Sequence, residues 1–420
     1  MNSQATTRRD WLIRLTHSEA GGSLPGVLVA IALGSILMAP FLSQVSTSML
    51  AVRAAGESTA ALYAADSGVE YAVWRLDTDS AFRNSVLASL DSPVAVAGNP
   101  SINGVATNVT VTAEQDWLSV ASAPAGVGDG GSLTRISGSL FALRGGNTRN
   151  FWRYDIASDS WTLHALTPNN VGEGGALTTR DGDTLFALRG GDTTDFWRYR
   201  PSSNSWTARA DTPRDVNASG SLAYLESGET YAFMDPWLCV LMFCLDRVWR
   251  YREGPDSWDF RDRTPDTTGA GAALTADGSG ALLAFQGNGT GDFWSYTPNN
   301  WQTSPADPPS AVGVGADLTS DEVRYTYALR GGGTRDAWRY DRLTNSWGDL
   351  PDTPAAVGPG GSIVYAGSDT VYALRGGGST DFWMLGITYV VRAFQGGDLQ
   401  LTARVSLAGA NPRILLWDIE

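Results

Sequence analysis

Five stretches of the chain repeat one another: FALRGGNTRNFWRYD from Phe141, FALRGGDTTDFWRYR from Phe186, LAFQGNGTGDFWSYT from Leu283, YALRGGGTRDAWRYD from Tyr327 and YALRGGGSTDFWML from Tyr372. A degenerate copy starts as YAF at Tyr231 and resumes as VWRY at Val248–Tyr251. The six copies begin 45, 45, 52, 44 and 45 residues apart. Self-similarity at such a period marks a repeat architecture, and the content of one period decides which. In the second copy, Gly174–Arg180, Thr184–Gly191, Asp195–Arg200 and Ser205–Ala210 read as four short strands, with Gly, Asn, Asp and Pro at the turns. Four strands per period of this length predict the blades of a β-propeller.

Working outward, the last copy lacks its fourth strand, because FWML runs into GITYVVRAF with no Ser-Trp. The missing piece lies at the other end. DWLSVASAPAGVGDGGSL (Asp116–Leu133) aligns without a gap with SWTLHALTPNNVGEGGAL (Ser160–Leu177). Asp116–Ala123 is therefore expected as the outer strand of the blade built from Gly360–Leu385. This clasp closes the ring and covers a sheet edge that would otherwise stand open. Strand-like pieces flank it at Val105–Glu114, Ile387–Phe394, Asp398–Leu407 and Arg413–Glu420. They read as one small antiparallel sheet that the propeller interrupts.

The Gly-Gly pair after strand two, the Trp-Arg-Tyr of strand three and the later Ser-Trp resemble the kelch repeat over about 270 residues. That resemblance bears on fold and leaves function open, since propellers host many functions.

At the N-terminus, a polar stretch with Arg8, Arg9 and Arg14 precedes an apolar run from Val27 to Leu42. The run is shorter than the roughly 20 residues a spanning helix usually needs. Helical patterning continues as an amphipathic extension to about Arg75. A signal peptide carries its small-residue cleavage site after the apolar run; here Gly21-Gly22 stands before it. GGSLPGVLVAIALGSIL (Gly21–Leu37) resembles the prepilin-type N-terminus of type IV pilins, and AADSGVEYAVWRL (Ala64–Leu76) is similar to a segment of some minor pilins. The resemblance implies prepilin cleavage between Gly21 and Gly22, methylation, and retention of the apolar helix on the mature chain. It also implies a helix packed on a sheet as the head. The family's Glu at the fifth mature position is replaced by Gly26, which implies a minor or tip subunit.

The expected fold is thus mainly β: a six-bladed kelch-type β-propeller inserted into a small α+β pilin-like domain with a long N-terminal α-helix. In chain order, the expected regions are a leader (1–21), the apolar and amphipathic helix (22–78), a first head segment (79–115), the propeller (116–386) and a second head segment (387–420).

Composition narrows the chemistry. A net charge of −14 argues against nucleic acid as a partner, because phosphate neutralisation needs clustered basic residues. The sequence has no lysine, so Schiff-base and P-loop lysine chemistry are excluded. The two histidines, His17 and His164, cannot build a multi-histidine metal site once the leader is removed. Neither GxSxG, HExxH, CxxC nor a P-loop pattern occurs. No catalytic residue, cofactor or metal ligand is assigned, although plentiful Asp and Glu leave a carboxylate pair open.

Residues that recur at equivalent places mostly serve a scaffold. Arg144, Arg189, Arg330 and Arg375 recur with Asp195, Asp292, Asp336 and Asp381. They read as Arg–Asp ties, with an Arg ring that recruits an anionic sugar as the sharper alternative. Blade three breaks the pattern with MDPWLCVLMFCLD (Met234–Asp246). Cys239 and Cys244 are expected to form a disulfide in an exported protein. Trp237, Leu238, Val240, Leu241, Met242 and Phe243 form a candidate contact tip, with burial against the propeller as the alternative.

The function these readings favour is a minor or tip type IV pilin-like filament subunit, not an enzyme. Its propeller is displayed for adhesion or for protein or glycan binding at the cell surface. The implied partners are other pilin-like subunits through the N-terminal helix, the prepilin peptidase, and a surface, glycan or protein ligand. The implied route runs from the cytoplasmic membrane to an extracellular filament. The alternatives are a membrane-anchored propeller enzyme, such as a glycan hydrolase or lyase, and a pseudopilin-like component of a secretion system.

Overall fold

The computed structural model describes residues 23–98, 101, 104–225, 228–234, 247–297, 300–367, 370–407 and 412–419. The processing pair Gly21 and Gly22 lies outside the described residues. So does the blade-three excursion with Cys239, Cys244, Trp237, Leu238, Val240, Leu241, Met242 and Phe243.

The chain is mainly β, and most of it is arranged as a β-propeller. Five sheets of four antiparallel strands stand alone. Their innermost strands are Ser132–Ile136, Ala176–Asp181, Ser221–Leu225, Ala273–Ala276 and Asp317–Ser320. Six separate blades were expected, and the sixth repeat departs from that. Its strands Ser362–Gly367 and Thr370–Leu374 belong to a seven-stranded sheet. The physical reason is the length of the next strand, Phe382–Gln395. It does not turn after Leu385 but leaves the propeller as part of one continuous strand of 14 residues. Successive innermost strands are neighbours around the axis, and Ser362–Gly367 neighbours Ser132–Ile136.

A repeated set of hydrogen bonds explains why four of the copies carry Tyr and, five residues on, Asp or Asn before Ser-Trp. The turn residues Asp159, Asn204, Asp256 and Asn345 take positive φ of 49°, 47°, 51° and 52°. Asp and Asn tolerate that conformation better than most residues. Each offers Oδ1 to the buried Tyr hydroxyl of its own blade: Tyr154 at 2.8 Å, Tyr199 at 2.8 Å, Tyr251 at 2.6 Å and Tyr340 at 2.8 Å. The same oxygen accepts the amide of Ala121, Ala165, Ala210 or Ala306 from the neighbouring blade. The indole Nε1 of Trp161, Trp206, Trp258 and Trp347 donates to the carbonyl of that same alanine at 2.7–3.0 Å. A satisfied buried hydrogen bond contributes about 1 kcal/mol, and leaving one partner bare costs more. The motif is therefore a stitch between blades.

Trp117 makes the equivalent stitch, with Nε1 on the Pro351 carbonyl at 2.9 Å. Its strand, Asn108–Ser119, enters the propeller from the head. It pairs antiparallel with the outbound strand over twelve consecutive residues, from Asn108–Phe394 to Ser119–Trp383. The beginning of this ladder is head and its end is propeller.

In the head, the inbound and outbound strands continue into Asp398–Ser406 and Arg413–Ile419. Alternate residues Val109, Val111, Ala113, Tyr389, Val391, Ala393, Leu401, Ala403 and Val405 are buried on one face. The helix Ser23–Thr78 covers that face with Ala65, Val69, Ala72 and Leu76, one stripe at helical spacing. Gly68 lets it approach closely: a Cβ there would lie 2.8 Å from Val109 Cγ2. A short helix, Ser80–Leu87, follows, capped by Asp79, whose side chain accepts the Phe82 amide at 3.0 Å. Upstream of the packed stripe, Val27, Leu28, Val29, Ile31, Leu33, Met38, Leu42, Met49, Leu50 and Val52 are each more than half exposed. Among the described residues, no helix is long and apolar enough to cross a membrane.

Candidate functional site

The innermost strands surround a central cavity of about 600 Å³. Strand edges and not a closed apolar core face the axis, so the wall is polar. It carries Thr134, Thr178, Thr275 and Thr319, with Arg135, Arg180, Tyr224, Glu322 and Tyr365 toward one end. A second cavity of about 620 Å³ lies where head meets propeller, beside Tyr154, Asp159, Met384 and Arg413. There Asp159 is already held by Tyr154 and Ala121, with Arg413 at 3.7 Å.

The channel is tied around its circumference by one position in four of the six innermost strands, the other two carrying Ala176 and Ala273 there. Ser132 Oγ accepts the Leu177 amide, Ser221 Oγ the Leu274 amide and Ser362 Oγ the Leu133 amide, at 2.9–3.0 Å. At this position the fifth strand carries Asp317. One of its carboxylate oxygens accepts from Ser362 Oγ at 2.7 Å and from the Ile363 amide at 2.9 Å. The other accepts the Leu318 amide at 2.9 Å. None of these donors is a cation. Burial pushes the Asp317 carboxyl up to about 6, because hydrogen bonds only partly offset desolvation of the charged form.

Arg180 shares Glu253 with Arg198. Arg135 differs: its Nε donates to the Ser137 carbonyl at 2.9 Å, and it faces no carboxylate among the described residues.

The recurring arginines lie away from this end of the channel, at the ends of the second strands. Arg189, Arg330 and Arg375 pair with Asp195, Asp336 and Asp381 at 2.6, 2.6 and 2.9 Å. Each also donates Nε to a loop carbonyl, of Asn170, Ala311 and Ala356 respectively. Arg144 meets Asn150, and Gln286 donates to the Thr267 carbonyl. These are ties within the scaffold. His164 packs edge-on against Phe141 and hydrogen-bonds the Tyr199 hydroxyl at 2.7 Å. Burial holds its pKa below the ordinary histidine value. Among the described residues, no group of three or more His, Cys, Asp and Glu could hold a metal ion.

Arg135 and Asp317 were not singled out from the sequence. The signal was present in the aligned innermost strands, where Asp317 stands among Ser132, Ala176, Ser221, Ala273 and Ser362.

No family model matches the chain. No curated protein matches it either. Among solved structures it is similar to a protein of unknown function from Bacteroides thetaiotaomicron VPI-5482, at 11% identity and a TM-score of 0.51, over 68% of this chain and 80% of that one. It also overlays on YjhT, at 12% identity and a TM-score of 0.49, over 66% of this chain and 99% of that one. A fungal alcohol oxidase of the AA5 family in complex with copper overlays with a TM-score of 0.42 at 12% identity, over 69% of this chain and 84% of that one. At these identities the likeness is one of fold, and only the first overlay is good enough to argue from.

Proposed function

We propose that the chain is a minor or tip type IV pilin-like subunit whose six-bladed kelch-type propeller is a displayed binding module, and not an enzyme. In this reading the seven-stranded sheet supplies the sixth blade and joins it to the head. The observation that carries the proposal is the helix Ser23–Thr78. Its last turns are packed on the head sheet, while the ten large apolar residues named above, from Val27 to Val52, are exposed. Such a strip needs an apolar partner, and the helices of neighbouring subunits are that partner here. The polar channel and the scaffold role of the recurring arginines support binding over catalysis.

The test is made in the native host. The mature chain is expected to begin at Gly22 by mass spectrometry, and an epitope-tagged copy is expected on surface filaments by electron microscopy. A mature N-terminus downstream of Leu42, or tagged protein absent from filaments, overturns the proposal.

A further inference from the structure

The ligand that a channel takes depends on the donors its scaffold leaves unoccupied. In the fifth and sixth innermost strands the polar groups are engaged. Asp317 and Ser362 hold each other, and Thr319 Oγ1 accepts the Tyr365 amide at 2.9 Å. Asp321 accepts the amides of Val323, Arg324 and Tyr325 at 2.7–2.9 Å. The first four strands differ. Among the described residues, the two terminal nitrogens of Arg135 and the hydroxyls of Thr178, Tyr224 and Thr275 have no hydrogen-bond or ion-pair partner. These four side chains come from four successive innermost strands and line one cavity. Arg135 and Tyr224 hold equivalent places toward one end. Thr178 and Thr275 sit one residue deeper, about 3.3 Å along a strand.

Arg135 is also seated. Its Nε is fixed on Ser137, and its guanidinium lies against Gly367, at a bulge in the next blade. A Cβ at Gly367 would come within 3.2 and 3.3 Å of the two terminal nitrogens. Gly367 has φ +94°, so any other residue is strained there as well as crowding the arginine. A guanidinium with no ion-pair partner among the described residues, held in a polar cavity on a chain of net charge −14, is a local reversal of sign. Its fork matches a carboxylate in two parallel hydrogen bonds. The neighbouring hydroxyls each donate and accept, which suits a body rich in hydroxyls.

From this arrangement we infer that the channel binds an anionic saccharide: Arg135 takes its carboxylate, and Thr178, Tyr224 and Thr275 hydrogen-bond its ring hydroxyls. The inference rests on the propeller being a binding module and names the class of ligand.

The experiment is calorimetric titration of the full chain with a galacturonate trimer, the corresponding galactose trimer and a glutamate tripeptide. The galacturonate trimer is expected to bind at least about tenfold more tightly than the galactose trimer, the factor that one charge-assisted hydrogen bond supplies. Arg135→Gln should remove that difference, and Arg135→Lys should restore part of it. Thr178→Val with Thr275→Val should weaken both trimers. An unchanged unfolding midpoint for Arg135→Lys guards against misfolding. Equal affinity for the two trimers, no binding of the galacturonate trimer, or unchanged binding by Arg135→Gln overturns the inference. Equally tight binding of the peptide does so too, because recognition is then of charge alone. Arg135→Gln on filaments without saccharide binding by the native chain sinks this inference only. Saccharide binding by a chain that never reaches filaments sinks the filament assignment only.

Discussion

Asp317 is a carboxylate where three sister strands have serine. Its partners are a hydroxyl and two amides, with no cation among them. Its carboxyl is pushed up to about 6 from an ordinary 3.8, so the folded chain holds this proton more tightly than the unfolded chain does. The contribution to stability is therefore fully present below pH 3.8 and is lost as pH rises through about 6. Above that range, the ionised group costs up to roughly 3 kcal/mol, since each tenfold change in proton affinity is worth about 1.4 kcal/mol. Asp317→Ser should stabilise the chain at pH 7.5 and give little or no gain at pH 4. Urea unfolding at the two pH values measures this, and a mutant effect that is the same at both rules it out. Neither Asp317 nor Arg135 was legible as a site residue, because each sits in a strand whose pattern is otherwise ordinary. Only their environment, a narrow polar channel, gives them a role, and that environment comes from six strands far apart in sequence.

The strands themselves were far more legible. Alternating apolar residues and turn signals placed the second copy's strands within two or three residues of Ala176–Asp181, Thr184–Leu188, Phe196–Arg200 and Ser205–Ala208. The alignment of Asp116-Trp117 with Ser160-Trp161 placed the inbound strand on the outbound one, and Trp117 makes the stitch that this alignment implies. What the alignment could not reveal is that the outbound strand crosses from blade to head without a break. Both segments are β-patterned, and no Gly, Pro or Asn cluster marks whether a strand bends or continues. Trp117 is 5% exposed and packed among Leu350, Val357 and Trp383. Trp117→Ala should cost about 3–5 kcal/mol, the range for large aromatics lost from a core. Trp301 is only half-buried, and its Nε1 has no partner among the described residues. Trp301→Ala should cost clearly less. Chemical denaturation of the two variants decides; equal losses would mean that the inbound strand adds nothing beyond its share of apolar burial.

Across the whole molecule, head and propeller share two strands and one twelve-residue ladder. Unfolding of either unit frays the end of the ladder on which the other is built. A scanning calorimetry trace of the full chain should therefore show one transition. Two resolved transitions would show that the shared ladder does not couple them. The ladder also has a mechanical meaning. The inbound strand runs from head to propeller and the outbound strand runs back, side by side. If the propeller is pulled away from the head, both strands are stretched in the same direction and to the same extent. The hydrogen bonds between them are then neither sheared nor peeled, and the load passes through two covalent backbones in parallel. The force enters the ring at the seven-stranded sheet, where the inbound strand lies outside the outbound one, so the pull does not act on a free chain end. A tether built this way keeps the channel in shape under tension.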